Sequence, residues 1–185
     1  MSRIGRMPIE LPASVKATIN GEKITVTGPL GTLEQTLDKS VSAAMGEHNG
    51  KPAILLTRSG DEKEIRSKHG MYRALVHNMV VGVEKGYSKS LIINGVGYKA
   101  AVSGNKLTLN IGFSHPIDFV APDGIKLECP SITEVKVSGI DKEKVGQVAA
   151  NIRELKPVEP YHAYGIHYSD EVVIRKEGKK ASKKK

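Results

Sequence analysis

Asn20-Gly21-Glu22-Lys23-Ile24-Thr25-Val26 returns 83 residues later as Ser103-Gly104-Asn105-Lys106-Leu107-Thr108-Leu109, with turn, lysine and apolar alternation in step. Ser59-Gly60-Asp61 returns at an offset of 79 within Ser138-Gly139-Ile140-Asp141. A chain that repeats its strand signals and its helix signal at a near-constant spacing is a duplication of one supersecondary unit. The boundary falls near residues 81–86. This gives an N-terminal domain over 1–82, a C-terminal domain over 83–174 and a basic tail over 175–185.

Within the first copy, Met7-Pro8-Ile9-Glu10-Leu11-Pro12 is an extended lead-in, because two prolines forbid a helix and tolerate an edge strand. Residues 15–19 and 23–27 alternate apolar and polar side chains around Asn20-Gly21, a hairpin signal. Gly28-Pro29-Leu30-Gly31 turns the chain into a strand over 32–37, and 41–45 and 53–57 read as two more, with a loop over 46–50. At Ser59 and Glu62, which have capping-box spacing, the period changes. Ile65, Tyr72, Val76, Met79 and Val83 then predict a helix over 62–81. Val145, Val148, Ala149, Ile152 and Leu155 predict a second over 141–155, capped by Asp141 and stopped by Pro157. Strands grouped ahead of one helix give the fold class α+β: two tandem duplicated domains, each an antiparallel-rich β-sheet packed against one α-helix. Two Phe and no Trp make both cores aliphatic.

The charge is +8, and its placement matters more than its size. Arg3 and Arg6 open the chain, and the last eleven residues hold seven Lys/Arg against one Glu. Without these ends the body holds 19 basic and 19 acidic residues, so all the excess sits at the termini. A polyanion touched by the ends is the partner this distribution fits. The one cysteine, Cys129, rules out an internal disulfide and reads as a buried thiol in a reducing compartment. Neither a signal peptide nor a membrane span is expected, since no run approaches 18 apolar residues.

Just before the tail, three of the six tyrosines and two of the six histidines crowd into Tyr161-His162-Ala163-Tyr164-Gly165-Ile166-His167-Tyr168. Pro157, Pro160 and Gly165 oppose a helix, so this stretch reads as a fixed extended loop. Flat rings beside a cationic tail suit unpaired bases and phosphates. The candidate RNA contacts are therefore Tyr161, His162, Tyr164, His167 and Tyr168 through rings, and Arg175, Lys176, Lys179, Lys180, Lys183, Lys184 and Lys185 through charge, with Arg3 and Arg6 as a smaller second contact. Arg66, His69, Arg73 and His77 line one flank of the first helix and offer a second RNA face. Two other patterns are rejected. Gly95-Val96-Gly97-Tyr98-Lys99-Ala100 matches a dinucleotide-binding string, but strand signals follow it where that motif needs a helix N-terminus. His162, His167, Asp170 and Glu171 lack a cysteine and a helical spacing, so no metal, cofactor or catalytic residue is expected.

The residues that carry a family likeness are Met1-Ser2-Arg3-Ile4-Gly5, the Gly95–Ala100 string, Gly112-Phe113-Ser114-His115-Pro116, Val145-Gly146-Gln147-Val148-Ala149-Ala150, Glu159-Pro160-Tyr161, Gly165-Ile166, Tyr168, Glu171-Val172 and Arg175-Lys176-Glu177-Gly178-Lys179. Taken in order, they resemble the bacterial large-subunit ribosomal protein six family nearly end to end. The resemblance implies a non-catalytic protein that binds large-subunit rRNA close to the sarcin-ricin loop. It places the protein at the stalk base, beside neighbouring large-subunit ribosomal proteins and where translational GTPases dock. It further implies a monomer within the ribosome, ribosome-bound in the cytoplasm, with its C-terminal half on the rRNA and its N-terminal half as a spacer facing proteins. The family usually carries Lys-Gly-Lys after the loop tyrosine, where this chain has His162-Ala163-Tyr164, and a basic residue where it has His167. An imidazole is mostly neutral at pH 7, so these positions exchange fixed charge for stacking and hydrogen-bonding capacity. Two rival readings use the same residues: a free nucleic-acid-binding chaperone, and a metal-assisted RNA-processing enzyme.

Overall fold

The computed structural model describes residues 3–179, and the chain divides into two compact units. One runs to Tyr87 and takes in Ile140–Lys142; the other takes Ser88–Gly139 and the chain from Glu143 on.

In the first unit β2 (Lys16–Asn20), β3 (Lys23–Gly28) and β4 (Gly31–Thr36) form an antiparallel meander. A second sheet has β1 (Ile9–Glu10), β6 (Lys51–Arg58) and β5 (Val41–His48) in the order β1-β6-β5. One helix follows, α1 (Lys63–Lys85). The period-two pattern works as expected in β3, which buries Ile24 and Val26 on one face. Side chains from both sheets and from α1 meet in one core that includes Ile9, Ile24, Val26, Ile54, Leu56, Val76, Val80 and Val83. Each such buried aliphatic side chain contributes about 1.5–3 kcal/mol of transfer free energy.

The second unit repeats the plan. Its meander is β8 (Lys99–Ser103), β9 (Lys106–Asn110) and β10 (Ile117–Val120). Its second sheet runs β11-β12-β7-β13, from β11 (Ile125–Ser131), β12 (Glu134–Gly139), β7 (Tyr87–Asn94) and β13 (Gly165–Tyr168). Its helix is α2 (Lys142–Glu154). The duplication holds at the level of register: Lys16 faces Thr27 and Lys99 faces Asn110, each partner displaced by 83. Among the described residues, β13 has no counterpart in the first unit.

Several local expectations are corrected. The hairpin turns on Gly21-Glu22 rather than Asn20-Gly21, because Asn20 still pairs with Lys23. Gly21 takes φ +60 and Gly104, its repeat, φ +62. Positive φ at the first central residue alone is what a glycine-led two-residue turn requires. Residues 46–50 are not a loop: β5 continues through Gly46 to His48, and only Asn49 and Gly50, both at positive φ, form the turn. α1 begins after Glu62, whose side chain makes no cap, so the expected Ser59–Glu62 box does not form. The helix also runs past 81 and 82 to Lys85, ending at Gly86 with φ 74. Cys129 is half-buried beside Pro130, where the β11–β12 register shifts. A proline without an N–H is tolerated at such an irregularity on an edge strand, and burial pushes the neighbouring thiol up from its ordinary pKa.

Candidate nucleic-acid interface

α2 stops where its sequence leaves it no choice. Leu155 and Lys156 close a last tight turn on the carbonyls of Ile152 and Arg153, and Pro157 has no N–H to continue it. The chain then doubles back: the Glu159 N–H donates to the Tyr164 carbonyl at 3.0 Å, and the Ile166 N–H to the Lys156 carbonyl at 2.8 Å. Gly165 makes this close approach possible. A Cβ there would lie 2.7 Å from the Pro157 carbonyl oxygen and 2.7 Å from the Val158 Cα, at φ +145. β13 follows and pairs with β7, burying Ile166.

Two rings ride on the loop as a unit. His162 and Tyr164 are stacked, centroids 5.4 Å apart and planes 17° from parallel. Ala163 between them is buried and takes φ +61, which puts both neighbours on the same side. The carboxylate of Glu159 holds the pair by accepting the His162 backbone N–H at 3.0 Å and its Nδ1–H at 2.7 Å. That hydrogen bond, before any other influence, holds the Glu159 carboxyl below its ordinary pKa. Tyr161 is 54% exposed and Tyr164 37%. An exposed, pre-stacked pair offers a nucleobase a flat face without the entropic cost of assembling it.

The tail joins this surface. The Lys176 N–H donates to the Pro160 carbonyl at 2.8 Å, which brings exposed Arg175 and Lys176 alongside Tyr161. Lys179 is exposed as well. Lys180, Lys183, Lys184 and Lys185 lie outside the described residues.

His167 and Tyr168 differ from the other rings. Both are half-buried on β13. The His167 Nδ1–H donates to the Tyr168 carbonyl at 2.8 Å. The Tyr168 ring lies under Lys89 Nζ at 4.5 Å and near the Arg153 guanidinium at 5.6 Å. Arg153 in turn grips Glu171 through two bonds of 2.9 and 2.5 Å, and Glu171 also accepts the Tyr168 N–H. The Arg153 fork keeps the Glu171 carboxyl below its ordinary pKa. Tyr168 is thus an anchor tying the end of α2 to the segment after β13, with cations already on its ring. Spacing along the sequence gave no hint of Arg153, which meets Glu171 across 18 residues, nor of Lys89. Glu159, three residues before His162, could have been suspected.

Two members of the stripe on α1 are engaged inside the first unit. His69 is 3% exposed and donates through Nε2 to the Leu56 carbonyl, while Gly5 packs flat on its ring. Arg73 donates to the carbonyls of Met7 and Pro8 at 3.2 and 3.3 Å. These two residues fasten the N-terminal segment. Burial, then Arg73, lowers the pKa of His77, which makes it a poorer cation still. Arg66 and His77 nonetheless remain exposed, as do Arg3 and Arg6.

Comparison with known proteins adds an independent line. The family model described as ribosomal protein L6 matches residues 11–86 and, again, 94–169. Both ends of the second match are displaced by 83, the offset of the hairpins. The chain is 51% identical over 182 residues to the large ribosomal subunit protein uL6 of Herminiimonas arsenicoxydans, with 97% of this chain and 99% of that one covered. It is 50% identical over 180 residues to the protein of the same name from Clostridium perfringens strain SM101, at 97% and 98% coverage. It is 49% identical over 184 residues to that of Prosthecochloris aestuarii, with both chains covered in full.

Proposed function

This chain belongs to the ribosomal protein L6 family and is a non-catalytic protein of the large ribosomal subunit, and we propose that it works there by holding rRNA on the loop and tail of its second unit. Tyr161 and the His162–Tyr164 stack receive unpaired bases, and Arg175, Lys176, Lys179 and the terminal lysines neutralise phosphates. The first unit is a spacer that faces neighbouring proteins, with Arg3, Arg6 and Arg66 as a minor contact. In line with the family resemblance, the rRNA held is that near the sarcin-ricin loop and stalk base, where translational GTPases dock, in cytoplasmic ribosomes.

The observation that carries the reading is the bond from the Lys176 N–H to the Pro160 carbonyl, which joins the cationic tail to the exposed rings. It favours a fixed site over a free chaperone, since both parts are oriented before RNA arrives. Cutting the chain after Ile174 tests it. For irregular RNA, log affinity falls with log salt by roughly 0.7 per neutralised phosphate, so losing about four contacts flattens the slope by roughly 3 units. An unchanged slope for binding to large-subunit rRNA would make the tail a solvated appendage.

A further inference from the structure

Phe113 is one of only two phenylalanines in the chain, and it is 46% exposed at the tip of the 111–116 loop. Lys156 Nζ stands 4.8 Å over its ring. Val96 is 85% exposed in a second glycine loop, 95–98, between β7 and β8. Tyr98 locks the two loops together: it packs on Gly95, and a Cβ on Gly112 would meet its hydroxyl at 3.0 Å.

Both loops join the aromatic loop. The Asn94 Nδ2–H donates to the Ala163 carbonyl at 2.9 Å, and Lys156, whose ammonium covers Phe113, gives its carbonyl to Ile166. The segments 94–99 and 111–116 hold Lys99 and His115 and no carboxylate, so an anionic partner meets no repulsion from them. We infer that Phe113 and Lys156 form a second stacking seat of the RNA surface, the exposed ring taking an unpaired base on the face opposite the ammonium and the ammonium taking the adjoining phosphate. The inference rests on the function proposed above. A peptide would use the same apolar tips and would need a carboxylate for the ammonium, which the stack-and-phosphate geometry of RNA supplies without an acidic residue.

The test is binding of the full-length protein to a large-subunit rRNA transcript across a salt series. Phe113→Ala is expected to weaken binding by roughly fivefold to 150-fold with the salt slope unchanged, the worth of one stacked base. Phe113→Tyr keeps the ring and restores affinity, and Lys156→Gln flattens the slope by about 0.7. Melting temperatures stay at the parent value. If intact protein binds and Tyr161→Ala weakens it while Phe113→Ala does not, this seat is excluded and the main site stands. That result with loss of Phe113→Ala from assembled subunits identifies the patch as a protein contact instead. Failure of the intact protein to bind the transcript refutes the parent reading. A fall in melting temperature in both Phe113 variants makes the ring structural and overturns the seat.

Discussion

α1 and α2 begin at equivalent places, Lys63 and Lys142, yet α1 has 23 residues and α2 13. In the first unit the extra ten carry Val76, Met79, Val80 and Val83 into the core and end only at Gly86. In the second unit the corresponding stretch meets Pro157, leaves the helix and becomes the aromatic loop. The first hairpin of each meander keeps its register to the residue, while the third strand is displaced by one, Lys23 facing Thr36 but Lys106 facing Val120. The difference teaches that a binding loop can be obtained by stopping one helix early on a scaffold whose first hairpin is unchanged. The released chain then needs fixing, which Gly165, Glu159 and the Arg153–Glu171 fork provide.

The largest effect is expected where the loop is pinned. Gly165→Val drives a side chain into the backbone of residues 157 and 158 and should cost more than about 3 kcal/mol of stability, together with RNA binding. The comparison change in the first unit, Gly21→Ala, meets nothing within 4 Å and carries only the left-handed strain of about 1–2 kcal/mol. Denaturant melts separate the two, and equal costs would mean that the loop is not built on Gly165.

Next come changes that split function from stability between the copies. Tyr161→Ala and Tyr164→Ala should each weaken rRNA binding by about 1–3 kcal/mol with melting unaffected. His69→Ala should do the reverse, losing about 1–3 kcal/mol of stability through its buried bond to Leu56 while binding persists. A large drop in melting temperature for both tyrosine variants would make those rings structural.

The smallest effects are in acid. Asp38 is held at about 2 by the Ser40 side chain and backbone, then by Lys68, and Glu159 is lowered by His162. A depressed carboxyl stabilises the fold above its unfolded pKa and loses that contribution as pH falls through its folded value. The first unit should therefore lose its Asp38 contribution between roughly pH 4 and 2, a step that Asp38→Asn abolishes. The His162–Tyr164 stack should loosen as Glu159 protonates, below the ordinary carboxylate range. NMR of the histidine and tyrosine rings follows it, and Glu159→Gln should remove its pH dependence.

Much of this was legible in the sequence because it is local. Glycine turns, alternating strands and a 3.6-residue apolar period survive as patterns in one dimension, and so do the repeat and the fold class it implies. The Tyr161–Tyr164 cluster was visible for the same reason. What was not legible depends on distant partners. His69 looked like part of a solvated stripe because nothing near it in sequence reveals the Leu56 carbonyl or Gly5. Tyr168 looked like its neighbours because Lys89 and Arg153 reach it only through the sheet and the helix end. The sequence pattern ends α1 too early, because a helix stop set by Gly86 leaves Gly82 inside the helix, and an interior glycine imitates a stop.

UV cross-linking of the protein within assembled large subunits decides between the copies most directly. The predicted map places RNA adducts on Tyr161, Tyr164 and residues 175–179 of the second unit. Adducts confined to α1 of the first unit, at Arg66 or His77, with none on the loop, would contradict it.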